Sequence, residues 1–267
     1  MTTFAKKLAF VPRILSAGFR PLPNFIIVGG QKCGSSALYK FISQHPDVKR
    51  AFVKEPHYFS GEFSSKSKLW YRAQFPRVKA HQQTGEASPS YCTHPLAPKR
   101  IKEQIPDCKL VFIVRNPVDR AVSNYYHSVK YGVEDLDIEK AFDRPMELFD
   151  EEYQKMADNP TYKSSFYNRH AYIHKGLYMF HLKRWTNQFP RHQILILENE
   201  NLLIQPQQTY DKLCHFLDLP SFKLNQYGKH NVGNSKVIAP HFKKHLEKQF
   251  EKSNAAFFNA IGKKFDW

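Results

Sequence analysis

The chain has 267 residues, of which 42% are hydrophobic and 15% aromatic. This length and composition exclude a disordered chain and are typical of one α/β domain with a sizeable core, or of two small domains at most. Lysine and arginine total 40 against 24 aspartate and glutamate, so the formal net charge is +16. Such an excess favours polyanionic partners (nucleic acid, anionic membrane, an acidic glycan or a charged cofactor), although a basic surface also keeps a protein soluble.

The cysteines and apolar segments narrow the class of protein. The four cysteines are scattered without a C-x-x-C pair, which indicates neither a disulfide framework nor a zinc site. No apolar stretch approaches the ~20 residues of a membrane span. The segment from Phe4 to Arg20 is a weak basic amphipathic segment interrupted by Pro12, and it does not resemble a signal peptide. Since no Asn-x-Ser/Thr sequon occurs, a cytoplasmic protein is favoured, although a trimmed lumenal domain would look similar.

The first buried strand is predicted over Phe25–Val28, an apolar run that ends at two glycines. A helical pattern follows and stops near Pro46. A strand, a glycine-containing turn and a helix N-terminus form an anion pocket, because backbone N–H groups point inward and the helix dipole favours negative charge. The residues of this predicted pocket are Lys32, Cys33, Gly34, Ser35 and Ser36.

The spacing of this loop resembles a Walker A motif without matching it. Gly29 and Gly34 have the separation that the motif requires, but Ser35 stands where its lysine should be. The lysine lies ahead of the second glycine, at Lys32. Taken alone, the loop is equally compatible with a strand-turn-helix that carries a solvated lysine.

The next segment, residues 48–59, is predicted to be a short strand that ends in a loop at Pro56. It carries a dense group of titratable residues, Lys54, Glu55 and His57, beside apolar neighbours. Ligands usually bind at the carboxyl edge of an open α/β sheet, where such groups would lie. Charges on a surface turn would give the same pattern in isolation. Helix and loop are expected over residues 60–83, a small-residue turn around a carboxylate over 84–91, and a basic helix over 95–104.

The second buried strand is predicted over Lys109–Val114, and it runs directly into Arg115 and a helix that starts near Pro117. An arginine at a strand end can grip an anion through two parallel hydrogen bonds. Ser123 follows on the helix and can converge on the same anion. A structural arginine paired with Asp119 is the alternative.

The rest of the chain alternates between helices and one further strand. Residues 131–167 are expected to form helical pieces and a mobile loop, as a lid or acceptor-binding insertion. The further predictions are a helix over 176–189, a third buried strand over 193–197, a helix over 206–217, a polar loop over 230–236, a helix over 240–253 and a final apolar helix to 267. The predicted fold is α/β, a single P-loop-like domain with a central parallel sheet flanked by helices, over residues 24–267. Residues 1–23 are predicted to be an N-terminal extension.

Five motifs, in this order, resemble the sulfotransferase family, and in particular its heparan sulfate N-deacetylase/N-sulfotransferase and 3-O-sulfotransferase branch with its bacterial relatives. They are Gly29–Leu38, Lys54–Phe59, Gly85–Tyr91, Arg115–Ser123 and Lys175–Tyr178. The family uses 3′-phosphoadenosine 5′-phosphosulfate (PAPS). The resemblance runs over about residues 24–267, and the co-occurrence of the motifs is far more specific than any one loop.

The resemblance implies a role for each matching residue. Lys32 to Ser36 would hold the 5′-phosphosulfate, with Lys32 contacting the transferring group. Arg115 and Ser123 would hold the 3′-phosphate. Glu55 would be the general base, and His57 would lie beside it in the site. A late family loop is only partly matched by Asn234-Ser235-Lys236, so Lys236 is the weakest assignment.

The implied reaction is in-line transfer of a sulfuryl group to a hydroxyl or amine, without a metal ion. Tyr58 and Phe59 are expected to desolvate Glu55 and so to raise its pKa. The expected partner is a glycan or another hydroxylated or acidic acceptor, and not nucleic acid. The alternatives are a P-loop kinase of a small molecule, which Ser35 disfavours, and a non-enzymatic polyanion-binding protein, which leaves Glu55 and the Lys32 loop unexplained.

Overall fold

The computed structural model describes residues 3–63, 65–225 and 238–267 of the chain. A central sheet of five parallel strands organises these residues. The strands are β1 (Phe25–Ile27), β2 (Val48–Arg50), β3 (Gln83–Ala87), β4 (Lys109–Val114) and β5 (Ile194–Glu198), in the spatial order β2-β3-β1-β4-β5. The predicted single α/β domain with a parallel sheet flanked by helices is confirmed.

The helices of the described residues lie before, between and after the strands. They are α1 (Thr3–Leu15), α2 (Ser35–Ile42), α3 (Lys68–Ala73), α4 (Ser90–Thr93), α5 (Ala97–Gln104), α6 (Pro117–Lys130), α7 (Ile138–Phe142), α8 (Met146–Asp158), α9 (Ser165–His170), α10 (Tyr178–Thr186), α11 (Asn199–Ile204), α12 (Pro206–Phe216) and α13 (Pro240–Ile261). A π-helical turn spans Tyr58–Glu62. Within the described ranges, every helix is too short or too polar to cross a bilayer.

The two central strands are apolar because both faces of the sheet are covered. Ile26 and Ile27 of β1 are fully buried, as are Leu110 and Val111 of β4. These residues pair directly, Ile26 beside Leu110 and Ile27 beside Val111. A strand buried on both faces reads as a continuous apolar run, and this is why β1 and β4 were predictable.

The turn predicted over residues 84–91 is wrong, because residues 83–87 form strand β3. The polar side chain in this strand is accommodated by hydroxyl groups: Glu86 is fully buried and accepts hydrogen bonds from Tyr71 (2.6 Å), Ser88 (2.5 Å) and Tyr91 (3.0 Å). Burial raises the pKa of Glu86 to about 7 although the three hydroxyls oppose that rise. A buried carboxyl with three donors can occupy a central strand, whereas an unpaired one cannot.

The C-terminal prediction of two helices is also wrong. One continuous helix, α13, ends at Gly262 in the left-handed conformation (φ 66°), and the residues after it are not helical. The final residue folds back instead: the Trp267 indole N–H donates to Glu198 at 3.0 Å, and its ring lies parallel to that of Phe257. The helical pieces predicted over 131–167 are present as α7, α8 and α9. The mobility of that region and its role as a lid stay predictions.

Candidate active site

The loop after β1 has the shape of an anion pocket. Lys32 and Gly34 both adopt left-handed backbone conformations, with φ of 71° and 91°. Gly34 is the residue before α2, and a Cβ added there would lie 2.2 Å from the side-chain oxygen of Asn199, so a larger residue fits neither the backbone nor the space. The first helical hydrogen bond runs from Leu38 to Gly34 at 3.0 Å. The amides of the first helical turn therefore have no partner within the helix and are available to an anion.

The ends of β1 and β4 lie side by side, as the proposed nucleotide site requires. The N–H of Gly30 donates to the carbonyl of Ile113 at 3.2 Å. The hydroxyl of Tyr178 links the two strand ends, since it donates to the carbonyl of Arg115 at 2.8 Å and lies 3.5 Å from the sulfur of Cys33. The loop after β1 and the arginine after β4 thus share one edge of the sheet.

Three cations converge at this edge. Burial lowers the pKa of Lys32, and the nearby charges of Arg115 and Lys130 lower it further. The charges of Arg115 and Lys130 near Lys32 make this edge electropositive, which favours an anion. Arg115 lies 3.7 Å from Asp119, and its side chain is 21% exposed. The pairing with Asp119 considered from the sequence is therefore present, and it leaves part of the guanidinium accessible.

The other residues predicted to hold the nucleotide have different surroundings. Cys33 is fully buried, burial raises the pKa of its thiol to about 11, and its N–H donates to Gly30 at 3.1 Å. It therefore packs beneath the loop as a neutral thiol. Ser35 is buried at the start of α2, and Ser123 is half-buried on α6, two turns beyond Arg115. Lys236 lies outside the described residues.

The predicted base lies next to the anion loop, joined to it by Lys54. The ammonium of Lys54 donates to the hydroxyl of Ser36 at 2.8 Å and also to a carboxylate oxygen of Glu55. His57 approaches the other carboxylate oxygen at 3.4 Å. The side chains of Glu55 and His57 are 34% and 44% exposed, so both are partly accessible from solvent.

The pKa of Glu55 does not rise as expected from the sequence. Burial alone would raise it, but hydrogen bonds from His57 and Lys54, with the charges of both, outweigh burial and lower the pKa. Tyr58 and Phe59, expected to desolvate the carboxylate, are themselves buried in an aromatic cluster in which Tyr58 stacks on Tyr71 at 4.5 Å. Glu55 is therefore ionised at neutral pH.

His57 is held in place from several directions. Its Nδ1 lies 2.8 Å from the hydroxyl of Ser90, which in turn lies 2.7 Å from that of Ser60. The backbone N–H of His57 donates to the hydroxyl of Ser88 at 3.3 Å, and the backbone is left-handed with φ of 51°. Left-handed non-glycine residues cost energy and cluster at functional sites. Among the described residues they are Lys32, His57 and Asp218.

Sequence reasoning missed two positions in this site. Lys54 was noted as a titratable neighbour of Glu55, but its contact with Ser36 depends on the fold. Lys175 was noted only as part of a motif, and it reaches the loop through Gln31, with a distance of 3.2 Å between Lys175 Nζ and Gln31 Oε1. These two residues are 144 positions apart, so no local pattern predicts the contact.

Comparisons with known proteins identify the family of the chain. Residues 22–267 match the family model described as "Sulfotransferase domain". The heparan sulfate glucosamine 3-O-sulfotransferases 3A1 and 3B1 of Mus musculus are 31% and 32% identical over 95% and 94% of this chain. The bifunctional heparan sulfate N-deacetylase/N-sulfotransferase 1 of Caenorhabditis elegans is 29% identical over 82% of the chain. The matches cover 66% of the length of each mouse relative and 25% of the nematode relative.

Solved structures show the same fold. The crystal structure of a sulfotransferase from Alicyclobacillus acidocaldarius is 28% identical, with a TM-score of 0.75 and coverage of 91% of this chain and 97% of that chain. A mouse sulfotransferase complexed with PAP is 15% identical, with a TM-score of 0.50 and coverage of 91% and 89%, and so supports the fold alone. The family predicted from the five motifs is thereby confirmed, and the chain belongs to the family of sulfotransferase domains.

Proposed function

We propose that this protein transfers the sulfuryl group of PAPS to a hydroxyl or amine of a glycan acceptor, with Glu55 as the general base. The single observation that carries the proposal is Lys54, which donates to Ser36 of the anion loop and to the carboxylate of Glu55. An anion held by the loop and a proton acceptor facing solvent thus lie within the reach of one lysine side chain. That is the arrangement that group transfer from a nucleotide to a hydroxyl requires.

The nucleotide would be held by the residues at the ends of β1 and β4. The unpaired amides at the start of α2 and the ammonium of Lys32 suit the 5′-phosphosulfate, since both favour negative charge. Arg115 and Ser123 follow β4, and we assign them to the 3′-phosphate. Lys236 belongs to this proposal from the sequence alone.

In the reaction, the acceptor oxygen or nitrogen forms a bond to sulfur while the bond from sulfur to the 5′-phosphate oxygen breaks, and its electron pair stays on the phosphate. Glu55 takes the proton that the acceptor loses. Lys32 and the loop amides stabilise the negative charge that grows on the leaving oxygen. His57 donates to Glu55 and orients it, while Ser90 fixes the imidazole.

The net charge of the chain and the names of its relatives support a glycan as the acceptor. The relatives above are named for transfer to heparan sulfate, an acidic glycan. The net charge of +16 suits an acidic chain approaching Glu55 from solvent. The cytoplasmic location predicted from the sequence stays a prediction, which fractionation of cells that express the tagged chain would test.

The first test measures ligand binding and transfer with the same preparation. We expect PAP to raise the melting temperature more than ATP with Mg²⁺, and to do so at salt concentrations that release heparin. We also expect transfer of ³⁵S from labelled PAPS to heparan sulfate within a panel that includes desulfated heparan, a small alcohol and a tyrosine peptide. A larger shift with ATP would favour the kinase alternative, and heparin binding without PAP binding would favour the polyanion-binding protein.

A further inference from the structure

Two buried basic side chains, those of Lys175 and Arg120, lie beneath the anion loop. Lys175 is only 3% exposed, and Arg120 is fully buried. The ammonium of Lys175 donates to the side-chain oxygen of Gln31 at 3.2 Å and to the carbonyl of Asn168 at 2.6 Å. A Cβ placed on Gly30 would lie 3.9 Å from the side chain of Arg120. Both cations therefore contact or nearly contact the loop from its buried side.

Neither cation has a compensating anion. Among the described residues, no carboxylate lies within 4.0 Å of Lys175 or Arg120, and the Nε of Arg120 has no hydrogen-bond partner. An isolated buried charge is costly unless it is paired or neutralised. Burial, with the charge of Arg120, lowers the pKa of Lys175 to about 7. The multiply charged anion is proposed to bind on the other side of the same loop, where it would favour the protonated form of Lys175.

We propose that Lys175 is a positioning residue that couples nucleotide binding to proton uptake: the bound anion draws a proton onto Lys175, whose ammonium then holds Gln31 and the loop. This inference rests on the proposed function. In the free protein Lys175 lies against two acceptors, the side-chain amide of Gln31 and the carbonyl of Asn168. A neutral amine can donate to both, and the ammonium form adds a charge that strengthens both hydrogen bonds. The negative nucleotide favours that form.

Near pH 8, Arg120, His174 and His127 beside Lys175 do not change their protonation state, so they would not take up the proton that accompanies nucleotide binding. Arg120 is charged throughout. His174 is the residue before Lys175. Burial, with nearby positive charges, lowers its pKa to about 3, so it is neutral. Burial, with the charges of Lys32 and Lys175 among others, lowers the pKa of His127, which is also neutral at pH 8. Lys32 has a lowered pKa as well, and it is the competing site that the experiment must distinguish.

The test is isothermal titration calorimetry of PAP at pH 8 in two buffers with different heats of ionisation. At this pH the phosphates of PAP are fully ionised, since their second pKa is about 6. We expect the wild-type protein to take up close to one proton per PAP, and its affinity for PAP to fall up to about tenfold per pH unit above pH 7. Lys175→Met should take up none and show a flat pH profile. Lys175→Arg, which is always charged, should bind PAP without uptake.

The exposed Lys99, which is 70% exposed at its side chain on α5, supplies the matched control: Lys99→Met should keep the full uptake. Wild-type binding of PAP without uptake at pH 8 would overturn the inference, and this measurement needs no variant to fold. So would equal uptake by wild type and Lys175→Met, or loss of uptake in Lys32→Met alone. A wild-type protein that does not bind PAP at all would overturn the proposed function itself, a result that calorimetry distinguishes from binding without proton exchange.

Discussion

Replacing Glu55 by glutamine removes the proposed base while it keeps the shape of the side chain. The amide oxygen of glutamine still accepts from Lys54 or His57, and Lys54 keeps its 2.8 Å contact with Ser36. The anion loop is therefore undisturbed, and the change is confined to the proton acceptor. General bases contribute about 10² to 10⁴ in rate, which corresponds to about 3 to 5 kcal/mol of barrier. We expect sulfuryl transfer to fall by that factor.

The same substitution should leave the affinity for PAP nearly unchanged. It removes one negative charge that is separated from the loop by the head of Lys54, and interactions between charges as exposed as these contribute about 0 to 1 kcal/mol. Loss of this charge should strengthen the binding of PAP, because a carboxylate repels the anionic nucleotide. We therefore expect PAP to bind equally well or up to about fivefold more tightly to Glu55→Gln.

The assay is a single turnover of ³⁵S-labelled PAPS with heparan sulfate, beside calorimetry with PAP. Glu247→Gln is the matched control, because Glu247 is exposed on α13 and forms a comparable pair with Lys243 at 3.6 Å. It should change neither quantity. Transfer by Glu55→Gln within tenfold of the wild-type rate would refute the role of Glu55 as base and direct attention to His57. A large loss of PAP affinity would instead show that Glu55 shapes the nucleotide site.

Three further predictions concern the loop and its neighbours. Lys32→Ala should weaken PAP binding by about tenfold to a hundredfold, the effect of losing a charge-assisted hydrogen bond, and should slow single-turnover transfer in addition; unchanged kinetics would remove it from the mechanism. Lys54→Met should move the acid limb of the kcat/KM profile to higher pH, because Lys54 helps to hold the pKa of Glu55 down and the base acts only above that pKa; for a pair this exposed the movement is under about one pH unit. Gly34→Ala should lower the melting temperature more than Gly132→Ala does, since both glycines have positive φ but only the first meets a side-chain oxygen, at 2.2 Å, while the second meets nothing within 4 Å; equal losses would contradict the steric argument.

The central strands could be predicted from the sequence because their apolar runs reflect burial on both faces. β3 could not, since its residues include Gly85 and Glu86 and have no apolar run. Its place in the sheet depends on contacts made by other segments. A Cβ on Gly85 would lie 2.5 Å from the ring of Phe25, and the carboxyl of Glu86 is satisfied by hydroxyls that include that of Tyr71. Both are tertiary effects that override local preference.

In the candidate site, too, some features follow from local sequence and others depend on tertiary contacts. Lys32 and Glu55 could be proposed from the sequence because each belongs to a motif whose residues are adjacent in sequence. The lowered pKa of Glu55 was not, because it depends on which of its neighbours turn toward it: Lys54 and His57 do, whereas Tyr58 packs into the core. Sequence adjacency gives the members of a cluster, but the sign of an electrostatic effect depends on side-chain direction.

The order of the strands explains why the residues proposed for the nucleotide and those proposed for the acceptor lie at one edge of the sheet. β1 lies between β3 and β4, so the loop after β1 separates residues that follow β4, such as Arg115, from those that follow β2 and β3, such as Glu55 and Ser90. Ligands of open α/β sheets bind at such a change of direction. Lys54 extends from the acceptor side to Ser36 on the nucleotide side. The motifs are far apart along the chain, and they lie together because parallel strands end at a common edge.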